Sequence, residues 1–252
     1  MTEVLALIPA RGGSKSIPRK NIKPFAGHPL IAYSIAAGQA TKSISRLIVS
    51  TDDEEIARVA RSYGAETPFL RPAELAQDRT TDLPVFQHAL RWLHENEGYQ
   101  PEIVVHLRPT SPLRRVWQIE QAIEKLLEHP EVDAVRTVSL PSQNPFKMYR
   151  IGANGLLQPL GWELGVPGEP FNMPRQSLPE VYWHNGYVDA VWSKTILEKD
   201  SMTGTAMLPL VIDPSDCVDI DSLEDWKHAE AMLKEGSLRF TDLGFEPKLQ
   251  VY

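Results

Sequence analysis

The sequence predicts an α/β fold built on a mostly parallel central sheet, and two observations carry that prediction. From Val4 to Leu140 short apolar runs alternate with helix-like stretches, and strand–helix–strand order requires crossovers that set successive strands parallel with helices on the faces. The composition of the 252 residues, 42% hydrophobic and 23% charged, is that of an ordinary soluble globule large enough to bury a core without staples. A single cysteine, Cys217, excludes an internal disulfide framework and a multi-cysteine metal site, and fits a reducing compartment. No run approaches the length of a membrane span and no signal peptide is visible, so a cytoplasmic protein without a membrane partner is expected.

The elements follow in order. Val4 to Pro9 is an apolar run that reads as a buried strand, closed by the loop Arg11-Gly-Gly-Ser-Lys15. Pro29 to Ala40 has the small and apolar residues of a helix, and Leu47 to Val49 is the next strand. Asp53 to Tyr63 repeats apolar residues at Ile56, Val59 and Ala60, with acids in its first turn and Gly64 beyond its end, so a capped helix is predicted. Leu83 to His94 and Val116 to Leu127 are further helices around the strand Ile103 to Leu107, and Asp133 to Leu140 alternates as a strand. Seven prolines between Pro141 and Pro179 then break the pattern, and this stretch reads as an inserted hairpin or arm. Regular structure resumes with Gly186 to Trp192, Met207 to Ile212 and a helix opening at Ser222, with Asp225 three residues on as a capping-box partner. The expected division is residues 1–140 and 180–252 as one domain, with 141–179 as the arm.

The net charge of -7 turns away polyanions such as nucleic acids on average, yet no Asp or Glu occurs from Val4 to Thr51, where Arg11, Lys15, Arg19, Lys20, Lys23, Lys42 and Arg46 all fall. A local anion site in an acidic protein is therefore expected. Its first loop, Arg11, Gly12, Gly13, Ser14 and Lys15 followed by Lys20 and Asn21, has what a triphosphate needs: glycines that let backbone N–H groups approach, and cations that neutralise charge. Neither a Walker A loop nor a G-x-G-x-x-G fingerprint is present, which disfavours P-loop and nicotinamide-dependent enzymes. Downstream, Asp219 and Asp221 stand two residues apart on an extended segment and point into one space, an arrangement that suits Mg²⁺ shared with substrate phosphates. Of the seven histidines, 28, 88, 94, 106, 129 and 228 are scattered without ligand spacing and read as ordinary packing residues. Asp52 and Asp53 read as helix N-terminal acids and nothing more.

The ordered motifs Ile8-Pro-Ala-Arg-Gly-Gly-Ser-Lys15, Pro18-Arg-Lys-Asn21, Val49-Ser-Thr-Asp52, Leu70-Arg-Pro-Ala-Glu-Leu-Ala76, Pro109-Thr-Ser-Pro-Leu-Arg114, Asn144-Pro-Phe-Lys147, Arg175-Gln176, Asn185-Gly186 and Val218-Asp-Ile-Asp221 run almost the whole chain. Together they resemble the acylneuraminate cytidylyltransferases, which activate sialic and related nonulosonic acids as CMP-sugars. The resemblance implies a Rossmann-like nucleotidyltransferase and a homodimer whose arm reaches into the neighbour's site. It implies CTP and a sugar acid as substrates and Mg²⁺ as cofactor. By position, Arg11, Lys15, Lys20 and Asn21 look like triphosphate contacts, Arg71, Thr80 and Asp82 like the base and ribose pocket, and Asp219 and Asp221 like the metal ligands. Arg11, Lys15 and Asp221 are the implied catalytic set. Arg108, Thr110, Ser111, Lys147, Arg175, Gln176, Asn185 and Asp189 look like sugar-side residues, with Arg175 donated across the dimer.

Three departures bear on which acid binds: Arg108 replaces a usual Gln, Trp183 and His184 replace a more frequent Arg-Pro, and Asp189 replaces a common Tyr. Such changes alter the hydrogen bonding demanded of a ligand, so an acid other than N-acetylneuraminic acid is expected. Asp82 stands where a small hydroxyl residue is common and could accept from cytosine or guanine. The alternatives are thus a GTP-using activator of a legionaminic-type acid, a cytidylyltransferase for another acid or a phosphonate, and a sugar-nucleotide sensor without turnover.

Overall fold

A computed structural model describes residues 2–235 and 238–250. Its strands are β1 (Val4–Pro9), β2 (Pro24–Phe25), β3 (His28–Pro29), β4 (Arg46–Ser50), β5 (Ile103–His106), β6 (Ala134–Ser139), β7 (Tyr149–Ile151), β8 (Leu157–Pro159), β9 (Trp183–Trp192) and β10 (Met207–Val211). The helices are α1 (Leu30–Ala40), α2 (Glu54–Ser62), α3 (Asp82–Glu97), α4 (Val116–Glu128), α5 (Leu160–Glu163), α6 (Ser193–Glu198), α7 (Leu223–Lys234) and α8 (Phe240–Leu243). The main sheet runs β10-β6-β9-β5-β1-β4, parallel at β1–β4, β1–β5 and β6–β10. It is sandwiched between two apolar clusters, the larger against α1, α4 and α7 and the smaller against α3 and α6.

Local chemistry accounts for the helix ends. The Asp53 carboxylate accepts the N–H groups of Glu55 and Ile56, both at 3.0 Å, and so caps α2. Ser222 and Asp225 form the expected capping box of α7. Helix α3 begins one residue earlier than the expected Leu83 and runs to Glu97, because Gly98, at φ 65°, supplies the left-handed stop. Helix α1 is buried from Leu30 through Gly38, so its small side chains serve close packing on the sheet and no amphipathic stripe is needed.

One expectation is corrected. Strand β9 is longer than Gly186 to Trp192 and lies antiparallel between β5 and β6. The chain leaves the sheet at the end of β6, makes the arm, and returns to the same edge; with no crossover helix, the next strand must run back down. The arm contains the β7–β8 hairpin, antiparallel from Tyr149↔Pro159 to Ile151↔Leu157.

The connection into β10 is anchored by Asp133, 4% exposed, whose carboxylate accepts the N–H groups of Thr205 (2.9 Å) and Ala206 (3.1 Å) and pairs with Lys199. The Lys199 hydrogen bond, and then those N–H groups, hold this carboxyl down at about 2. A depressed carboxyl contributes stability above its unfolded value of 3.8 and loses it as pH falls toward 2. Asp133→Asn is therefore expected to flatten the pH dependence of the melting temperature between pH 4 and 2, and an unchanged slope there would contradict the anchoring role.

Candidate active site

A cavity of about 500 Å³ opens at the carboxyl ends of β1 and β5, beside the start of α3 and the segment after β10, the place where open α/β sheets bind ligands. The loop after β1 forms one wall. A Cβ at Gly12 would lie 2.9 Å from Asp53 Oδ2, so a side chain here would have to displace the Asp53 carboxylate. The Gly12 N–H donates to Asp52 Oδ1 at 2.9 Å, while Asp53 pairs with Arg19. Asp52 and Asp53 thus do more than the expected helix-terminal service, since they pin the loop.

Arg11 donates through Nη1 to Gln77 O (3.0 Å) and Asp78 Oδ1 (3.2 Å), and Lys15 pairs with the other Asp78 oxygen. The Lys15 hydrogen bond, helped by the charge of Arg11, holds the Asp78 carboxyl below its ordinary value. Exposed pairs of this kind are weak, so a polyphosphate can take both cations from Asp78. Lys20, 8% exposed, donates to Ile220 O at 2.8 Å and lies 3.4 Å from Asp221 Oδ1, which ties this wall to the acidic pair. Asn21 donates to Arg11 O at 3.0 Å and so orients the loop, and Ser14 joins the lining.

Arg71 is buried against β4, donating to Ser50 Oγ (3.1 Å) and Ser50 O. Burial lowers its guanidinium to about 10, still charged at neutral pH. Thr80 and Asp82 complete that side of the cavity.

Asp219 meets solvent, but protein closes around its carboxyl and raises its pKa; Thr110 hydrogen-bonds it against that rise, and the charge of Asp221 adds to it. Two carboxylates that repel in the free protein are a donor set that fits a hard divalent cation. Among the described residues no group of three or more His, Cys, Asp or Glu could hold a metal, so this pair would need oxygens from a substrate to complete a coordination shell.

Behind Arg108, which lines the cavity, Asp189 is 1% exposed and surrounded by cations: Arg108 Nη1 at 3.1 Å, Arg136 Nε at 2.9 Å and His184 Nε2 at 3.2 Å. Burial alone would push its carboxyl up; the His184 hydrogen bond and the charges of Arg108 and Arg136 overturn this and hold it well below the carboxylate range. Arg108 also lies 3.7 Å from Asp82, so it bridges the two sides of the cavity.

Residues 5–150 match the cytidylyltransferase family. The chain belongs to that family. It is 35% identical over 233 residues to the CMP-N,N'-diacetyllegionaminic acid synthase of Campylobacter jejuni, covering 92% of this chain and 96% of that protein. It is 30% identical over 242 residues to the post-translational flagellin modification protein B of Campylobacter coli, covering 96% of this chain and 100% of that one. A solved CMP:2-keto-3-deoxy-manno-octonic acid synthetase complexed with CTP shares its fold, with a TM-score of 0.69 at 13% identity, covering 93% of this chain and 100% of that one.

This cytidylyltransferase brings Arg11, Lys15, Lys20, Asn21, Arg71, Thr80, Asp82, Arg108, Thr110 and Asp221 to one cavity. Other expected residues are elsewhere. Asn185 is buried, its amide occupied by Ser139 Oγ at 2.9 Å and the Tyr187 N–H at 3.1 Å, so it shapes β9. Ser111 is buried, and among the described residues its hydroxyl has no hydrogen-bond partner. Lys147, Arg175 and Gln176 lie on the arm, and Arg175 donates to Pro141 O at 2.6 Å in a separate concavity. Arg136 and His106 join the site without having been singled out by any motif; only strand register sets them beside Asp189.

Proposed function

We propose that this nucleotidyltransferase transfers CMP from CTP to the anomeric hydroxyl of a nonulosonic-type sugar acid, releasing pyrophosphate, and that N-acetylneuraminic acid is not its preferred acceptor. The observation that carries the reading is the cavity itself. Three cations of the β1 loop line it together with Asp221 and with Arg108, whose buried partner is Asp189, so that one polyphosphate and one acid have separate points of attachment. The C. jejuni relative, by name a legionaminic acid synthase, supports the choice of acid class.

In this reading the hydroxyl oxygen attacks the α-phosphorus and the bond to pyrophosphate breaks, a transfer that needs positioning and charge neutralisation above all. Arg11 and Lys15 leave Asp78 and offset the charge of the departing pyrophosphate. Arg71 holds the nucleoside, and Arg108 the acid. Asp219 and Asp221 are the residues that would hold Mg²⁺, which when bound would neutralise phosphate charge and lower the pKa of the attacking hydroxyl.

Residues 141–179 act as a dimerisation arm on the domain formed by 1–140 and 180–252, carrying Lys147, Arg175 and Gln176 into the neighbour's cavity. Support comes from the apolar side chains the hairpin leaves in solvent, Ile151 at 73% and Leu157 at 63% exposure.

The test is pyrophosphate release with each of the four nucleoside triphosphates against N-acetylneuraminic, diacetyllegionaminic and pseudaminic acids, repeated across protein dilutions. CTP with a non-neuraminic acid is the expected best pair, with specific activity falling as the dimer dissociates. Turnover with GTP alone would replace the cytosine assignment, and a fully active monomer would remove the arm's role.

A further inference from the structure

His106, at the end of β5, is 1% exposed and borders the cavity, yet neither ring nitrogen has a hydrogen-bond partner. The Asp82 carboxylate oxygen Oδ2 is 3.9 Å from Nδ1, beyond hydrogen-bond reach. On its other side the ring meets Phe86 of α3 at 4.7 Å between centroids, which offers no acceptor in the plane of the ring. Among the described residues no other histidine has both nitrogens buried and unpaired. Buried polar groups are nearly always paired, and leaving one orphaned costs stability. An imidazole orphaned twice has to be explained.

Register supplies the context. Ala134, Val191, Val104 and Leu5 form a row across β6, β9, β5 and β1, and all four belong to the smaller apolar cluster. Two residues further toward the cavity, on the same face, the row becomes Arg136, Asp189, His106 and Leu7. The face changes from apolar to charged within one strand repeat, at the depth where the cavity begins. Within this row Arg136 and Asp189 satisfy each other and Arg108 completes Asp189, while His106 alone is left without a partner. Burial, and then the charge of Arg108, keep the ring neutral, with one donor and one acceptor to offer.

We propose that His106 is a specificity-determining residue, its imidazole hydrogen-bonding an uncharged hydroxyl or amide substituent of the acceptor acid. The inference rests on the function proposed above. The acid is assigned as the ligand because the cross-strand neighbour of His106 on β9 is Asp189, the buried partner of Arg108, while its neighbour on β1 is the apolar Leu7. An uncharged group is required because a neutral imidazole between Arg108 and Asp82 pairs with a group that can donate and accept, whereas the cations around Asp189 already provide for charge.

The test is steady-state kinetics and ligand-free melting of His106→Leu and His106→Asn, with the acid the wild-type enzyme turns over best. His106→Leu is expected to raise KM for that acid about tenfold, the effect of losing one well-made hydrogen bond, with KM for CTP unchanged. His106→Asn, which keeps a donor and an acceptor, should recover part of the loss. Without ligand, His106→Leu should melt at or above the wild-type temperature, because the substitution removes an unpaired polar group from a buried position. An unchanged KM for the acid, an equal rise in KM for CTP, or a lower ligand-free melting temperature would each overturn the proposal. If the wild-type protein turns over no sugar acid, the functional reading fails by itself, and the melting comparison still decides whether His106 lacks a partner in the free protein.

Discussion

Replacing Asp221 with asparagine is expected to lower kcat by roughly 10²–10³ at saturating substrates, the usual consequence of removing one group that stabilises developing phosphate charge. The variant is clean because the Asp221 side chain is 77% exposed and its salt bridge to Lys20, at 3.4 Å, is long. Lys20 keeps its hydrogen bond to Ile220 O, so the wall should hold its shape and the melting temperature should stay within about 2 °C. A second readout is independent of turnover. Since the charge of Asp221 helps raise the Asp219 carboxyl, removing it should move Asp219's titration downward in the free protein. Unchanged kcat at limiting Mg²⁺ would sink the metal role; unchanged titration of Asp219 would show that the two carboxylates do not share one space.

Arg114→Ala is expected to cost roughly 3–5 kcal/mol of stability, through orphaned acceptors and a large cavity. Arg114 is completely buried and among the described residues makes no salt bridge. Its guanidinium donates to Tyr187 O, to Arg108 O at 2.9 Å and to Ser34 Oγ at 3.2 Å, binding β9, the β5 loop and α1 together. Burial lowers its pKa to about 9, the signature of a cation held for geometry rather than for a counter-ion. For a chain of this size the loss corresponds to a melting temperature lower by roughly 6–20 °C, measured by calorimetry or circular dichroism. Arg114→Met separates the contributions: it fills the volume but donates nothing, and should recover part of the loss. A methionine variant more stable than wild type would mean that desolvating the charge outweighs its three hydrogen bonds. Because Arg114 holds the Arg108 carbonyl, both variants should also raise KM for the acid.

The acid-free stretch from Val4 to Thr51 was legible as a charge pattern, and it predicted an anion site at the first loop. Tertiary structure divides that pattern. Arg11, Lys15 and Lys20 line the cavity, while Arg19 is taken by Asp53 and Glu55, and Arg46 by Glu66 and Glu97, all acids distant in sequence. The helices were legible because their signals are local: Asp53 and Ser222 cap the turns that immediately follow them, and Gly98 stops the helix that precedes it.

The antiparallel course of β9 was not legible, since direction depends on where the arm re-enters the sheet and leaves no mark on the apolar pattern of the strand itself. Arg108 and Asp189 could be singled out one at a time, but their contact with each other, with Arg136 and with His184 exists only because β6, β9 and β5 lie side by side in one register. His106 is the sharpest case. By spacing alone it was one scattered histidine among several, and in the fold it is a buried, unpaired imidazole on the cavity wall. The sequence by itself determined the α/β class, the caps, the basic glycine loop after β1 and the acidic pair, because each is encoded within a few neighbouring residues. The cluster around Asp189 was decided by the tertiary structure alone, because cross-strand pairing brings together residues up to 83 positions apart, His106 and Asp189, whose separation no local pattern records.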